Sequence, residues 1–128
     1  MTYPGPRILL VDDDASLGQV LQAGLETEGF SVRYETRPTE ALRVCLDYRP
    51  DLVLLDVDMP VMDGGQVAAE LRSHPVLRHT PVIFISSLVT EEEAGRRNAS
   101  HEILLSKQIR MPELVAKIRA VLQPKDRR

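Results

Sequence analysis

Residues 51–65 read DLVLLDVDMPVMDGG, a strand, an acidic loop and a helix entry in one unbroken segment. Asp51 to Leu55 (DLVLL) lack the polar alternation of a strand with one face in water, so the pattern predicts a central parallel strand covered by helices on both faces. Asp56 ends that run. The loop 57–63 (VDMPVMD) holds a proline and two further acids. Asp63 is a good cap for a helix whose close start needs Gly64 and Gly65 and whose core face is Val67, Ala68 and Leu71.

The same alternation of short apolar runs and helical spacing extends in both directions. Upstream, 7–11 (RILLV) is a strand stopped by Asp12, Asp13 and Asp14, and Leu17, Val20, Leu21 and Leu25 recur at helical spacing up to Gly29. Residues 31–35 (SVRYE) alternate weakly, as an edge strand does, and 38–47 open with Pro38 and place Ala41, Leu42 and Cys45 on one helix face. Downstream, Pro81 to Ile85 (PVIFI) is a fourth strand followed by Ser86 and Ser87, and Thr90 with Glu93 makes a capping box for a helix over 91–99. Residues 102–105 (EILL) are the fifth strand, Lys107 follows, and Pro112 starts a last helix with Leu114, Ile118 and Val121 inward. Five strands alternating with five helices predict an α/β fold, a doubly wound five-stranded parallel sheet with right-handed crossovers. The domain is expected to span 1–123, and the charged tail 124–128 (PKDRR) is either a frayed end or the start of a linker.

Composition narrows the function. A chain of 128 residues with 43% hydrophobic and 27% charged residues fits one folded domain and excludes a disordered tail. No apolar block reaches the length of a membrane span, and residues 1–10 lack a signal peptide's apolar core, so a cytoplasmic protein without membrane contact is expected. A formal net charge of -3 offers no general attraction to nucleic acid, so direct nucleic acid binding by this chain is not expected. The single cysteine, Cys45, has no disulfide partner and sits in the apolar pattern LRVCL, where a buried thiol is the expected state.

All strands of a parallel sheet point one way, and their C-terminal ends form the rim where such folds bind ligands. Here the first, third, fourth and fifth strands end on Asp12-Asp13, Asp56, Ser86-Ser87 and Ser106-Lys107. Two carboxylates ~4 Å apart repel by about 4 kcal/mol at an effective dielectric of 20, so the cluster calls for a cation. Hard oxygen donors suit Mg²⁺, whereas one Cys and three scattered His residues do not make a zinc site. A carboxylate beside Mg²⁺ can attack a phosphoryl group while a lysine and a hydroxyl bind its oxygens. That chemistry assigns Asp56 as nucleophile, Asp12 and Asp13 as metal ligands, Lys107 as phosphate clamp and Ser86 as hydroxyl donor. Singly, each has a plainer reading: helix caps for Asp12 to Asp14, loop acids for Asp56 and Asp58, a surface lysine for Lys107.

With these residues in view, the sequence resembles the receiver domain of bacterial two-component response regulators. The resemblance spans roughly 7–122 and rests on ILLVDDD at 8–14, DLVLLDVDMPVMDG at 51–64, VIFISS at 82–87 and LLSK at 104–107. It implies a flavodoxin-like fold, Mg²⁺ held by Asp12, Asp13, Asp56 and the backbone carbonyl of Asp58, and phosphorylation of Asp56. The donor would be a histidine kinase or phosphotransfer protein, or a small donor such as acetyl phosphate. Slow self-hydrolysis would return the resting state, without turnover of an external substrate. Output would pass to a downstream protein target, from a monomer or weak homodimer.

The sequence also departs from that family. Gln108 stands where a proline usually follows the lysine, so a trans peptide is expected, a cis bond costing ~2.5–4 kcal/mol at a residue other than proline. Leu104 stands where the family has a switch aromatic, and Ser100, His101, Glu102 and Ile103 replace its usual Gly-Ala-Asp-Asp run. Phosphoryl transfer and signal output are therefore separate questions. One alternative is a receiver-like binding module that no longer switches, with an exposed Leu104 or Val89 serving a partner contact. Another is a haloacid-dehalogenase-like phosphatase, because LLDVDMP is similar to that group's Asp-x-Asp signature.

Overall fold

The computed structural model describes residues 5–59, 62–90 and 102–123. In chain order the elements are β1 (Arg7–Val11), α1 (Ala15–Thr27), β2 (Ser31–Glu35), α2 (Ala41–Tyr48), β3 (Leu52–Asp56), α3 (Gly64–Ser73), β4 (Val82–Ser86), β5 (Ile103–Ser106) and α4 (Met111–Leu122), with one 3₁₀ turn, Pro38–Glu40, before α2. All strand pairs are parallel, in the order β2-β1-β3-β4-β5. The expected helix over 91–99 and the tail 124–128 lie outside the described residues.

β3 sits at the centre of the sheet, and all five of its residues are buried. Its alternate side chains feed two cores. Val53 and Leu55 join Leu9 and Val11 of β1 against α2 and α3, through Val44, Cys45, Val67 and Leu71. Leu52 and Leu54 join Ile8 and Leu10 against α1 and α4, through Leu21, Leu25, Leu114 and Ile118. The absence of polar alternation in DLVLL follows from this double cover. At the edge, β2 is half-buried throughout, in keeping with its weaker pattern.

Local chemistry sets the helix starts. Asp63 caps α3 with a reciprocal box: its carboxylate accepts from the Gln66 N–H and its own N–H donates to the Gln66 side chain, both at 2.9 Å. A Cβ on Gly64 would sit 2.7 Å from the Asp56 carbonyl oxygen, so only glycine lets α3 start this close to the end of β3. Gly65 is not constrained in that way, since its nearest neighbour would be the Asp63 carboxylate at 3.2 Å.

Two packing expectations, for Val20 and Leu104, need correction. Val20 is 65% exposed, and Gly18 is buried in the stripe expected of Val20, because the Tyr34 ring lies against α1 at that glycine. Val121 faces inward as expected, half-buried against the core that holds Leu114 and Ile118. Leu104 is half-buried against the core on the α2–α3 face and is not a free surface residue, and Val89 is half-exposed. Cys45 is buried, and burial pushes its thiol up to about 12.

Candidate functional site

Val11 of β1 lies opposite Leu55 of β3, so the next residues, Asp12 and Asp56, arrive side by side at the rim. Lys107 follows β5 and reaches back across the end of β4. Its Nζ lies 3.0 Å from Asp12 Oδ2 and 3.0 Å from Asp56 Oδ2. The three groups are shielded from water, with Asp12 0% and Asp56 1% exposed and the Lys107 side chain 9% exposed. The second oxygen of each carboxylate is held by backbone: Asp12 Oδ1 accepts from the Asp14 N–H and Asp56 Oδ1 from the Asp58 N–H, both at 2.9 Å. Lys107 apart, neither Oδ2 atom has a partner among the described residues.

The electrostatics reflect that crowding. Burial pushes the Asp12 carboxyl up to about 6, repulsion from Asp56 adds to the rise, and the Asp14 N–H and Lys107 oppose it. Burial works against the charge on Lys107, but its contacts with Asp12 and Asp56 outweigh that penalty and raise its pKa above the usual lysine range.

A divalent cation fits these residues. Asp12, Asp13 and Asp56 each present a carboxylate oxygen, and the three oxygens lie within 4.8 Å of one another. Three carboxylates against one ammonium leave two negative charges, two of the carboxylates are buried, and the donors are hard oxygens of the kind Mg²⁺ prefers. Asp13 is exposed and opens the cluster to solvent, as an ion that keeps several waters requires.

The β4 side of the rim is wired differently. Asp58 turns its carboxylate onto β4: Oδ2 accepts from the Ser86 hydroxyl at 2.8 Å and the Ser87 N–H at 2.9 Å, with the Ser87 hydroxyl at 3.5 Å. Ser86 Oγ in turn accepts from the Leu88 N–H at 3.0 Å. After Lys107, the Gln108 N–H donates to Ser106 Oγ at 3.0 Å, a bond a proline there would lack, and no peptide bond among the described residues is cis.

All the sequence-derived candidates, Asp12, Asp13, Asp56, Asp58, Ser86 and Lys107, therefore stand at one rim. Sequence reasoning missed two features. One is the Asp58 side chain as a partner of Ser86. The other is Tyr34, whose hydroxyl lies 2.8 Å from the Asp12 carbonyl and 3.0 Å from the Asp14 carbonyl, and whose pKa burial pushes up to about 12. A tyrosine near the end of β2, facing a glycine in mid-helix, was the available signal.

Residues 8–119 match the family model of the response regulator receiver domain. The chain belongs to that family. The receiver is 38% identical over 120 residues to the transcriptional regulatory protein PrrA of Mycobacterium tuberculosis, covering 92% of this chain and 50% of that protein. It is also 38% identical over 121 residues to the response regulator MprA of Mycobacterium sp. strain KMS, covering 91% of this chain and 50% of the relative. The chain thus spans about half the length of the curated relatives it matches. Among solved structures, the BeF3-activated N-terminal receiver domain of Klebsiella pneumoniae RstA superposes with a TM-score of 0.78 at 26% identity, covering 92% of this chain and 99% of that one. The chemotaxis response regulator CheY4 of Vibrio cholerae gives 0.79 at 25% identity, covering 91% and 98%.

The expected fold and family are borne out. Receiver domains generally bind Mg²⁺ at an acidic pocket and take their signal from a histidine kinase or phosphotransfer partner, and this receiver has the matching aspartate cluster. The phosphatase alternative is set aside by the family match and by the position of Asp56 at the end of the third strand. No helix among the described residues is long and apolar enough to cross a membrane.

Proposed function

We propose that this receiver accepts a phosphoryl group on Asp56 from a partner histidine kinase or phosphotransfer protein and passes that state on through protein–protein contacts. The observation that carries the reading is the Lys107 ammonium lying 3.0 Å from both Asp12 and Asp56, with two buried carboxylate oxygens facing it. A carboxylate held by the Asp58 N–H on one oxygen keeps a fixed direction of attack. An Asp56 oxygen attacks phosphorus while the donor's P–N bond breaks. The electron pair leaves on the imidazole, which departs neutral because its other nitrogen carries a proton. Lys107 then turns from carboxylate neutralisation to the new phosphoryl oxygens. Hydrolysis is a second displacement: water attacks phosphorus, the Asp56 O–P bond breaks with its electron pair returning to the carboxylate, and inorganic phosphate leaves carrying the water oxygen while a proton passes to solvent.

Asp12, Asp13, Asp56 and the Asp58 carbonyl are the groups that would hold Mg²⁺, which when bound neutralises charge on the transferred group. The domain acts on its own aspartate and turns over no external substrate. Output would pass to a downstream protein from a monomer or weak homodimer; its net charge of -3 agrees with the absence of direct nucleic acid contact by this chain. A cytoplasmic location is where a kinase partner and this chemistry would meet.

The test is incorporation of phosphate from acetyl phosphate. We expect one phosphate per chain, dependent on Mg²⁺ and lost in Asp56→Asn; failure of labelling with acetyl phosphate and with phosphorylated kinase would refute the assignment. Leu104 supports a second reading, a module that binds its partner in both states: it packs half-buried opposite Phe84 and supplies no aromatic ring. That reading requires equal partner affinity for Asp56→Asn and for the donor-treated protein.

A further inference from the structure

We infer that Asp58 is a positioning residue, an internal anion whose carboxylate occupies the donors that a phosphoryl group on Asp56 would need. The inference rests on the phosphoacceptor reading above and deepens it.

A serine hydroxyl has one proton to give. In Ser86 that proton goes to Asp58 Oδ2 at 2.8 Å, and the same oxygen also takes the Ser87 N–H at 2.9 Å. The Leu88 N–H donates to Ser86 Oγ at 3.0 Å and fixes the hydroxyl from behind, so Ser86 is engaged as both donor and acceptor. Ser86 is 1% exposed and has no water to fall back on, which makes loss of its acceptor costly unless another takes over. A hydroxyl and a backbone N–H converging on one anionic oxygen make an arrangement that suits a phosphoryl oxygen equally well.

The chain geometry places the competitor beside the acceptor. Asp58 is two residues beyond Asp56, and its N–H is bonded to Asp56 Oδ1 at 2.9 Å. A phosphoryl group formed on Asp56 would replace its single negative charge by a group carrying about -1.5 to -2, placed on oxygens closer to the Asp58 carboxylate. It would repel that carboxylate and offer its own oxygens to Ser86 and Ser87. The resting state is thus held by one carboxylate on the β4 rim, and phosphorylation exchanges it for another anion. Leu88, 80% exposed next to these two serines, would move with any rearrangement of the Ser86–Ser87 backbone.

The experiment is a beryllofluoride titration of the full chain at saturating Mg²⁺, with the Mg²⁺ affinity of each variant measured separately, read by the Ser87 amide resonance and by fluorine NMR. Asp58→Ala should bind beryllofluoride at least about tenfold more tightly than wild type, the size of one charge-assisted hydrogen bond. Asp58→Asn, which keeps an acceptor and loses the charge, should fall between them. In the Ser86→Ala background most of the gain should vanish. In wild type the Ser87 amide should leave its carboxylate-bonded position on titration, and in Asp58→Ala it should start away from that position. Unchanged or weaker binding in Asp58→Ala, or an equal gain in the Ser86→Ala background, overturns the inference and leaves the phosphoacceptor reading standing. No binding by wild type, Asp58→Asn or Asp58→Ala overturns both.

Discussion

The two halves of the rim contain the same kind of group in opposite circumstances. Asp12 and Asp56 are buried, adjacent and share one ammonium, and each keeps an oxygen with no other partner. Asp58, two residues beyond Asp56, is partly exposed and directs a single oxygen at two good donors, the Ser86 hydroxyl at the end of β4 and the Ser87 N–H just after it. The first pair has too much charge for its hydrogen bonds, whereas the second carboxylate has one oxygen fully engaged by donors. A carboxylate at a strand end therefore does not define a metal or phosphate site; the site is where buried acceptors outnumber their donors. By that measure the Asp12–Asp56 half is built to receive a cation and the Asp58–Ser86 half is already closed on itself.

Lys107 tests this contrast most severely. Replacing it with methionine keeps the stem and removes the charge that holds Asp12 and Asp56 together, and breaking a buried ion pair in this way costs about 3–5 kcal/mol. Asp12 can soften the loss by taking a proton, since its carboxyl already lies at about 6. Urea unfolding of Lys107→Met in EDTA should show the loss at pH 8 and much less of it at pH 5, and Mg²⁺ should restore part of it at pH 8. Equal stability of mutant and wild type in EDTA at pH 8 would mean that the carboxylates do not depend on the lysine.

Much of this arrangement is legible in the sequence. DLVLL without alternation required a strand covered on both sides, and the parallel order that follows brings Asp12, Asp56 and Lys107 to one end. Strand ends shifted by a residue: β3, β4 and β5 begin one position later than the apolar runs suggest and end on Asp56, Ser86 and Ser106, because the ladder continues through polar residues that still pair. Helix faces were less legible. Val20 fits the helical period but points to water, because the apolar spacing does not reveal that Tyr34 from the next strand fills the space above Gly18. Side-chain direction in loops was the least legible: nothing in the sequence around Asp58 tells whether its carboxylate faces the metal-binding acids or Ser86, since both lie within its reach.

Asp12 gives the next largest effect and has an unusual sign. In the folded protein burial raises its carboxyl from 3.8 to about 6. Below about pH 4 the group is neutral folded or unfolded. Between about 4 and 6 the unfolded chain releases the proton while the folded one retains it, so this group makes stability fall as pH rises through that window; above about 6 the penalty is constant. Asp12→Asn should therefore stabilise the metal-free protein at pH 7 by about 1–3 kcal/mol and flatten its stability between pH 4 and 6, while abolishing stabilisation by Mg²⁺. Thermal unfolding in EDTA and in Mg²⁺ checks both signs, and a metal-free destabilisation at pH 7 would show that Asp12 is satisfied rather than crowded.

The smallest effect separates the halves most cleanly. The Tyr34 hydroxyl lies within hydrogen-bonding distance of the Asp12 and Asp14 carbonyls and its ring lies on Gly18, so it braces the acidic loop from β2 without touching a carboxylate. Tyr34→Phe keeps the ring and removes the donor, a change worth about 0.5–1.5 kcal/mol, or roughly threefold to tenfold in any affinity that depends on the loop's position. Mg²⁺ binding by calorimetry should weaken by that factor. The amide resonances of Asp13 and Asp14 should shift, and that of Ser87, held by Asp58 on the far side of the rim, should not. If the Ser87 amide moves as far as that of Asp14, the two halves respond as one unit: the closure of Asp58 on Ser86 would then depend on how the metal-binding loop is held.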